Sequence, residues 1–187
     1  MKNYSLFLCL LVLLMSACKK DDSRLTADTL HHDGDNLAAP QLPPGTYEVA
    51  AKFTFSKLQR FQEKDLYEVN LYIESVPTNV ELKIYRQGDE NVPGPILYSA
   101  DWNGLDANSW NDHTLTTPIE ITGEDLWISV NFTHPTDMRT IGCDSGPADS
   151  NGDWILSYDD PGWQSLRNFS GGEVDINWNI RGQVTKE

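Results

Sequence analysis

An all-β fold, two sheets packed as a β-sandwich of the jelly-roll type, is what this sequence predicts. Three observations predict it. Apolar and polar residues alternate with period two in stretch after stretch. Pro, Gly and Asn/Asp clusters separate those stretches as turn signals. Only one segment has helical spacing, and eight to ten short strands in one domain of this size argue for two packed sheets.

The elements follow in chain order. "TYEVAAKFT" is a candidate first long strand after the turn signal Pro43-Pro44-Gly45. "SKLQRFQEKD", Ser56 to Asp65, is the helical segment: Ser56 can cap it, and Leu58 and Phe61 stand three apart. In "LYEVNLYIES" Tyr67, Val69, Leu71 and Ile73 share one face, and in "VELKIYRQ" Val80, Leu82 and Ile84 do the same. "ILYSADW" follows the turn Gly94-Pro95, and "HTLTTPIEIT" comes next. "DLWISVNFTH" sets Leu126, Ile128, Val130 and Phe132 together, while "WILSYDD" and "WQSL" flank Pro161-Gly162. "DINWNIRGQV" closes the series with Ile176, Trp178, Ile180 and Val184 inward.

Ahead of this module the chain reads as targeting and tether. Residues 1–17 have a positive Lys2, an apolar run from Leu6 to Met15 and the small pair Ser16-Ala17. The run is too short to span a bilayer. "MSAC" resembles a bacterial lipobox, whose cysteine, here Cys18, becomes the lipidated N-terminus and anchors the chain to a membrane. Lys19, Lys20, Asp21 and Asp22 resemble the export signal of surface lipoproteins in the Bacteroidota, which implies the outer face of the outer membrane. Residues 18–42, rich in polar residues and Pro without apolar periodicity, are expected to be a flexible tether. Within it "DTL" resembles an O-glycosylation sequence, with Thr29 as acceptor. The folded module is expected over residues 43–187.

Charge and cysteine usage exclude several classes. A formal net charge of -14 argues against nucleic acid as a partner. Of three cysteines, Cys9 leaves with the signal and Cys18 carries lipid, so Cys143 has no partner and is read as a small buried apolar residue. His31 and His32 fall in the expected tether, which leaves His113 and His134 for the folded part. No HExxH, GxSxG or glycine-rich phosphate loop is present. "EVDINW" comes near the paired-carboxylate strand of laminarinase-type glycoside hydrolases, with Glu173 and Asp175 in place. Asn177 or Trp178 stands where the second Glu is needed, and an amide cannot donate the proton.

The loop "GCDSGPADSNGDW" is the most distinctive. Asp149, Asn151 and Asp153 supply an oxygen at every second residue, with Asp160 eleven after Asp149. That spacing suits a structural calcium ion, although Trp154 occupies the place where an EF-hand needs Gly. The alternative is a loop closed by Asx turns without metal. No cofactor is required by the reading.

Six tryptophans are many for this length. Trp178 alternates with isoleucines and is read as core. An aromatic platform for sugar faces is sought at Trp163 and Trp154, together with Trp102 or Trp110.

The ordered series from "KFTFSKLQRF" through "PGPILYSADW", "DLWISVNF", "GCDSGP" and "GDWILSYDDPGWQSL" to "INWNIRGQV" resembles the cleaved-adhesin type of domain found in Bacteroidota surface proteins, including gingipain adhesin regions. The resemblance implies a non-catalytic module for adhesion or ligand binding, glycan or protein, sometimes with calcium. A jelly-roll carbohydrate-active enzyme and a structural subunit of an outer-membrane assembly are the alternatives.

Overall fold

The computed structural model describes residues 25–185. Cys18 and the segment Lys19 to Asp22 lie outside the described residues.

Among the described residues twelve strands form in chain order: β1 Thr29–Leu30, β2 Gln41–Leu42, β3 Gly45–Phe53, β4 Asp65–Ile73, β5 Thr78–Arg86, β6 Ile96–Asp101, β7 Ser109–Glu120, β8 Leu126–His134, β9 Met138–Arg139, β10 Trp154–Ser157, β11 Asp160–Ser165 and β12 Ile180–Val184. A one-turn helix, α1 at Phe55–Leu58, continues as a 3-10 turn over Gln59–Phe61, and α2 spans Leu166–Phe169. Thr54 rather than Ser56 precedes α1, and the segment's last residue, Asp65, already begins β4. No helix among the described residues is long and apolar enough to cross a membrane.

Two antiparallel sheets make the sandwich. One has four strands in the order β1-β12-β4-β7, and the other six in the order β11-β10-β3-β8-β5-β6. β2 and β9 pair separately. The predicted alternation places the core: Val69, Leu71 and Ile73 of β4 meet Val80, Leu82 and Ile84 of β5 and Leu126, Ile128, Val130 and Phe132 of β8, all buried. Trp178 and Ile180 join them, as their period predicts. One position differs. Leu66 is buried in place of the expected Tyr67, because the β4–β7 register slips between Leu66 and Glu68 and turns the strand over by one residue.

The tether expected over residues 18–42 is corrected from Leu25 onward. Thr29 and Leu30 pair with Gln183 and Gly182 at the edge of the small sheet, and Leu30 is fully buried. Asp33 is buried against Arg181, with the guanidinium Nε 2.9 Å from Oδ2 and 3.1 Å from Oδ1. The polar composition that reads as linker is spent on a partner 148 residues away. Thr29 is likewise buried and its hydroxyl donates to Gln183 Oε1, so it cannot serve as a glycan acceptor on the folded domain.

The outer face of the six-stranded sheet is covered as well. Alternation turns Glu48, Ala50 and Lys52 of β3 away from the main core, yet all three are buried. Ala50, Trp127 and Trp154 form a second apolar cluster there, with Tyr85 and Trp163 packed on it. Beside them the Glu48 carboxylate accepts from Tyr85 Oη and Ser129 Oγ at 2.6 Å, Lys83 Nζ at 3.1 Å and Tyr158 Oη at 3.4 Å. Burial and the Glu48 bond push the Tyr85 phenol well above its ordinary range.

Candidate functional site

The loop between β9 and β10 is organised by one carboxylate. Asp144 Oδ1 accepts from the backbone N–H of Gly146 and of Asn177, and Oδ2 accepts from Gly34 N–H and Asn177 Nδ2. Gly146 has φ +67°, and a Cβ there would collide with the Asp175 carbonyl, so only glycine fits. Asn177 Oδ1 accepts from Asp149 N–H, and Asp175 Oδ1 accepts from Ala148 N–H. Asp175 and Asn177, from the stretch that came near a glycosidase strand, are therefore clamps of this loop.

Asp149, Asn151 and Asp153 each have partners of their own. Asp149 Oδ1 accepts from Asn151 N–H, an Asx turn, while Oδ2 lies 3.2 Å from His32 Nδ1. Asn151 Nδ2 donates to Ser150 Oγ, and Asp153 Oδ2 accepts from Arg167 N–H at 3.2 Å. Among the described residues no three His, Cys, Asp or Glu side chains are placed to hold a metal ion, and the Asp160 side chain lies outside the described part.

His32 is not in a linker. It stacks on Phe53 with centroids 5.0 Å apart, its Nε2 lies 2.8 Å from the Lys52 carbonyl, and Lys57 Nζ is 3.4 Å from its Nδ1. Hydrogen bonding from His32 holds the Asp149 carboxyl well below the usual carboxylate range. His113 bonds Tyr98 Oη through Nε2, and His134 contacts the Thr136 carbonyl through Nδ1. Cys143 is buried, and burial pushes its thiol up to about 11, which leaves it inert.

The four candidate tryptophans divide. Trp102 is buried and packs edge-on to His113. Trp110 lies under the Arg181 guanidinium at 4.0 Å and meets Tyr72 edge-on. Neither forms part of a platform with the other two. Trp154 and Trp163 do come together: their rings lie 5.1 and 5.6 Å from that of Trp127, which is fully buried. Trp127 is the residue that sequence reasoning passed over. Its signal was present, since alternation in "DLWISVNFTH" turns it to the outer face of a central strand.

These pieces enclose one cleft of about 460 Å³. Its walls are Asp149, Ser150 and Asp153 of the loop, Trp154 and Trp163 of the β10–β11 hairpin, Arg167 and Asn168 of α2, and Asn91 from the β5–β6 loop. Lys52 steadies that last wall by donating from Nζ to the Glu90 carbonyl, 3.3 Å from Asp125. A smaller cavity of about 200 Å³, lined by Leu58, Arg86, Ile119 and Asp125 among others, carries no aromatic ring. The larger cleft offers a half-buried indole beside hydroxyl, amide, carboxylate and guanidinium groups, the set that stacks on an apolar ring face and hydrogen-bonds its rim.

No protein-family model and no curated protein matches the chain. Among solved structures it is similar to a clostridial cysteine protease, Cwp84, after propeptide cleavage, with a TM-score of 0.58 and 13% identity over 88% of this chain and 42% of that one. It is also similar to a structure of the cysteine protease and lectin-like domains of Cwp84, a surface layer associated protein of Clostridium difficile. There the TM-score is 0.51 at 13% identity, over 88% of this chain and 37% of that one. The chain thus spans less than half the length of either, and at this identity the likeness establishes a shared all-β fold.

Proposed function

We propose that this protein is a non-catalytic, lectin-like module that binds glycan in the cleft over Trp163. The observation that carries the reading is the half-buried Trp163 ring, backed by Trp127 and Trp154 at the mouth of a cleft walled with hydrogen-bonding side chains. The lectin-like part of the neighbouring surface-layer protein supports it, because the matched share of that chain suits a β-domain rather than a protease. The resemblance to cleaved-adhesin modules, which rests on the sequence, points the same way.

The module belongs on a cell surface under this proposal, held to the outer membrane by lipid on Cys18 and facing outward through the Lys19 to Asp22 signal. Because Thr29 and Leu30 pair with β12, the chain between anchor and sheet can reach at most about 40 Å. Labelled fatty acid should enter the wild-type chain and not Cys18→Ser.

The test of binding uses Lys19 to Glu187, which keeps every described residue; starting at Gln41 would delete β1 and the Asp33–Arg181 pair. On a glycan array the wild type should give signals that Trp163→Ala loses while its melting temperature stays within a few degrees. Signals that survive the substitution would move the site elsewhere. An array without signals would refute glycan binding.

A further inference from the structure

Among the described residues the buried carboxylates are heavily hydrogen-bonded, with one exception. Asp144 takes four bonds and Glu48 takes four. Asp33 faces a buried guanidinium and an amide of Asn179. Asp153 is only 1% exposed, lines the cleft, and takes from other residues one long bond, the Arg167 N–H at 3.2 Å. A carboxylate has room for about four donors, and a buried one short of them is costly.

The nearby cation is turned aside. The Arg167 side chain is 62% exposed and reaches 3.7 Å from Asp175, itself negative. Asp149, the other acid in the wall, is answered by the His32 ring at its back, with the Lys57 ammonium beyond it. Burial, with Asp175 adding to it, pushes the Asp153 carboxyl above its ordinary value. The cleft therefore holds a buried acid with few donors, whose nearest guanidinium is turned toward solvent, next to two indole rings that also attract cations.

We infer that the cleft selects sugars bearing a protonated amine, the ammonium donating to Asp153 while the sugar ring stacks on Trp163. This rests on the glycan reading above and names its ligand class: hexosamine units with a free amine, in preference to N-acetylated, neutral or acidic sugars. An ammonium adds donors and a positive charge beside Asp153, whose one bond from another residue is long. An acetamide supplies one N–H without charge, and a uronate adds repulsion.

Titration calorimetry with Lys19 to Glu187 tests this, using a glucosamine tetrasaccharide, its N-acetylated form and a glucose tetrasaccharide. The free amine should bind about tenfold tighter than either. Asp153→Asn, which keeps the shape and an acceptor for Arg167 N–H, should erase that preference, so that the free-amine and N-acetylated tetrasaccharides bind with equal affinity. Equal affinities, or a preference that survives Asp153→Asn, would overturn the inference. Should the variant fail to fold, the wild-type preference must grow from pH 4 to 7 as the carboxyl ionises, and a flat profile would overturn it. Neutral binding lost in Trp163→Ala without amine preference sinks this inference alone. No binding of any of the three, together with a silent array, sinks the glycan reading with it.

Discussion

The two faces of the six-stranded sheet bury different chemistry. Toward the small sheet, β3 and β8 present Val49, Ala51, Phe53, Ile128, Val130 and Phe132, an apolar surface whose burial is non-directional. Away from it the same strands present Glu48, Lys52, Trp127 and Ser129, buried by side chains and a loop. There each polar group needs a named partner: Tyr85, Ser129, Lys83 and Tyr158 for Glu48, and Glu90 with Asp125 for Lys52. The first face holds the fold by area. The second builds a rigid backing for Trp163, and leaves one acid, Asp153, incompletely answered at the cleft.

Substitutions can break that contrast. Trp178→Ala, which empties inner-face volume and frees the Trp154 carbonyl, should cost about 3–5 kcal/mol in urea unfolding. A cost under 1 kcal/mol would mean that the inner face does not carry the fold. Glu48→Gln on the outer face should cost about 1–3 kcal/mol, since an amide cannot accept as many bonds and leaves a buried donor unmade. If it equals the inner-face loss, the two faces contribute alike.

Smaller effects sharpen the comparison at the cleft. The Asp149 carboxyl lies below its unfolded value, so its contribution is present above about pH 4 and lost as the pH falls further. Wild type should therefore lose more stability between pH 5 and 3 than Asp149→Asn. The excess should be under about 1 kcal/mol, because the carboxylate is 43% exposed. Parallel pH profiles would show that the His32 contact is energetically idle. Calcium or EDTA should move the melting temperature by less than about 1 °C, since the loop is already held by an Asx turn, the His32 contact and the Arg167 N–H bond. A rise of several degrees with calcium would require Asp160 and backbone carbonyls to complete a site.

Some of the cleft was legible and some was not. Asp149, Asp153, Trp154 and Trp163 stood out as candidates by residue type, and all four line the same cleft. Their roles were not legible: spacing suggested a metal, whereas the structure gives an Asx turn, a histidine contact and a buried acid. Trp102 and Trp110 look the same as Trp163 in sequence, and only packing against His113 and Arg181 tells them apart. His32 was misread because its partners sit on β3 and beyond β9.

The sequence by itself determined the β-sandwich, since period-two alternation is a local property that sets each strand's inward face wherever the strand ends up. It also framed the lipoprotein expectation, which depends on contiguous residues. Tertiary structure decided the rest. Residues 25–42 belong to the domain because Asp33 finds Arg181 and Leu30 finds the sheet edge. The cleft exists because strands distant in sequence set three indoles together on one face. Such pairings leave no local trace, because the energy that fixes them lies in contacts between residues the chain order keeps apart.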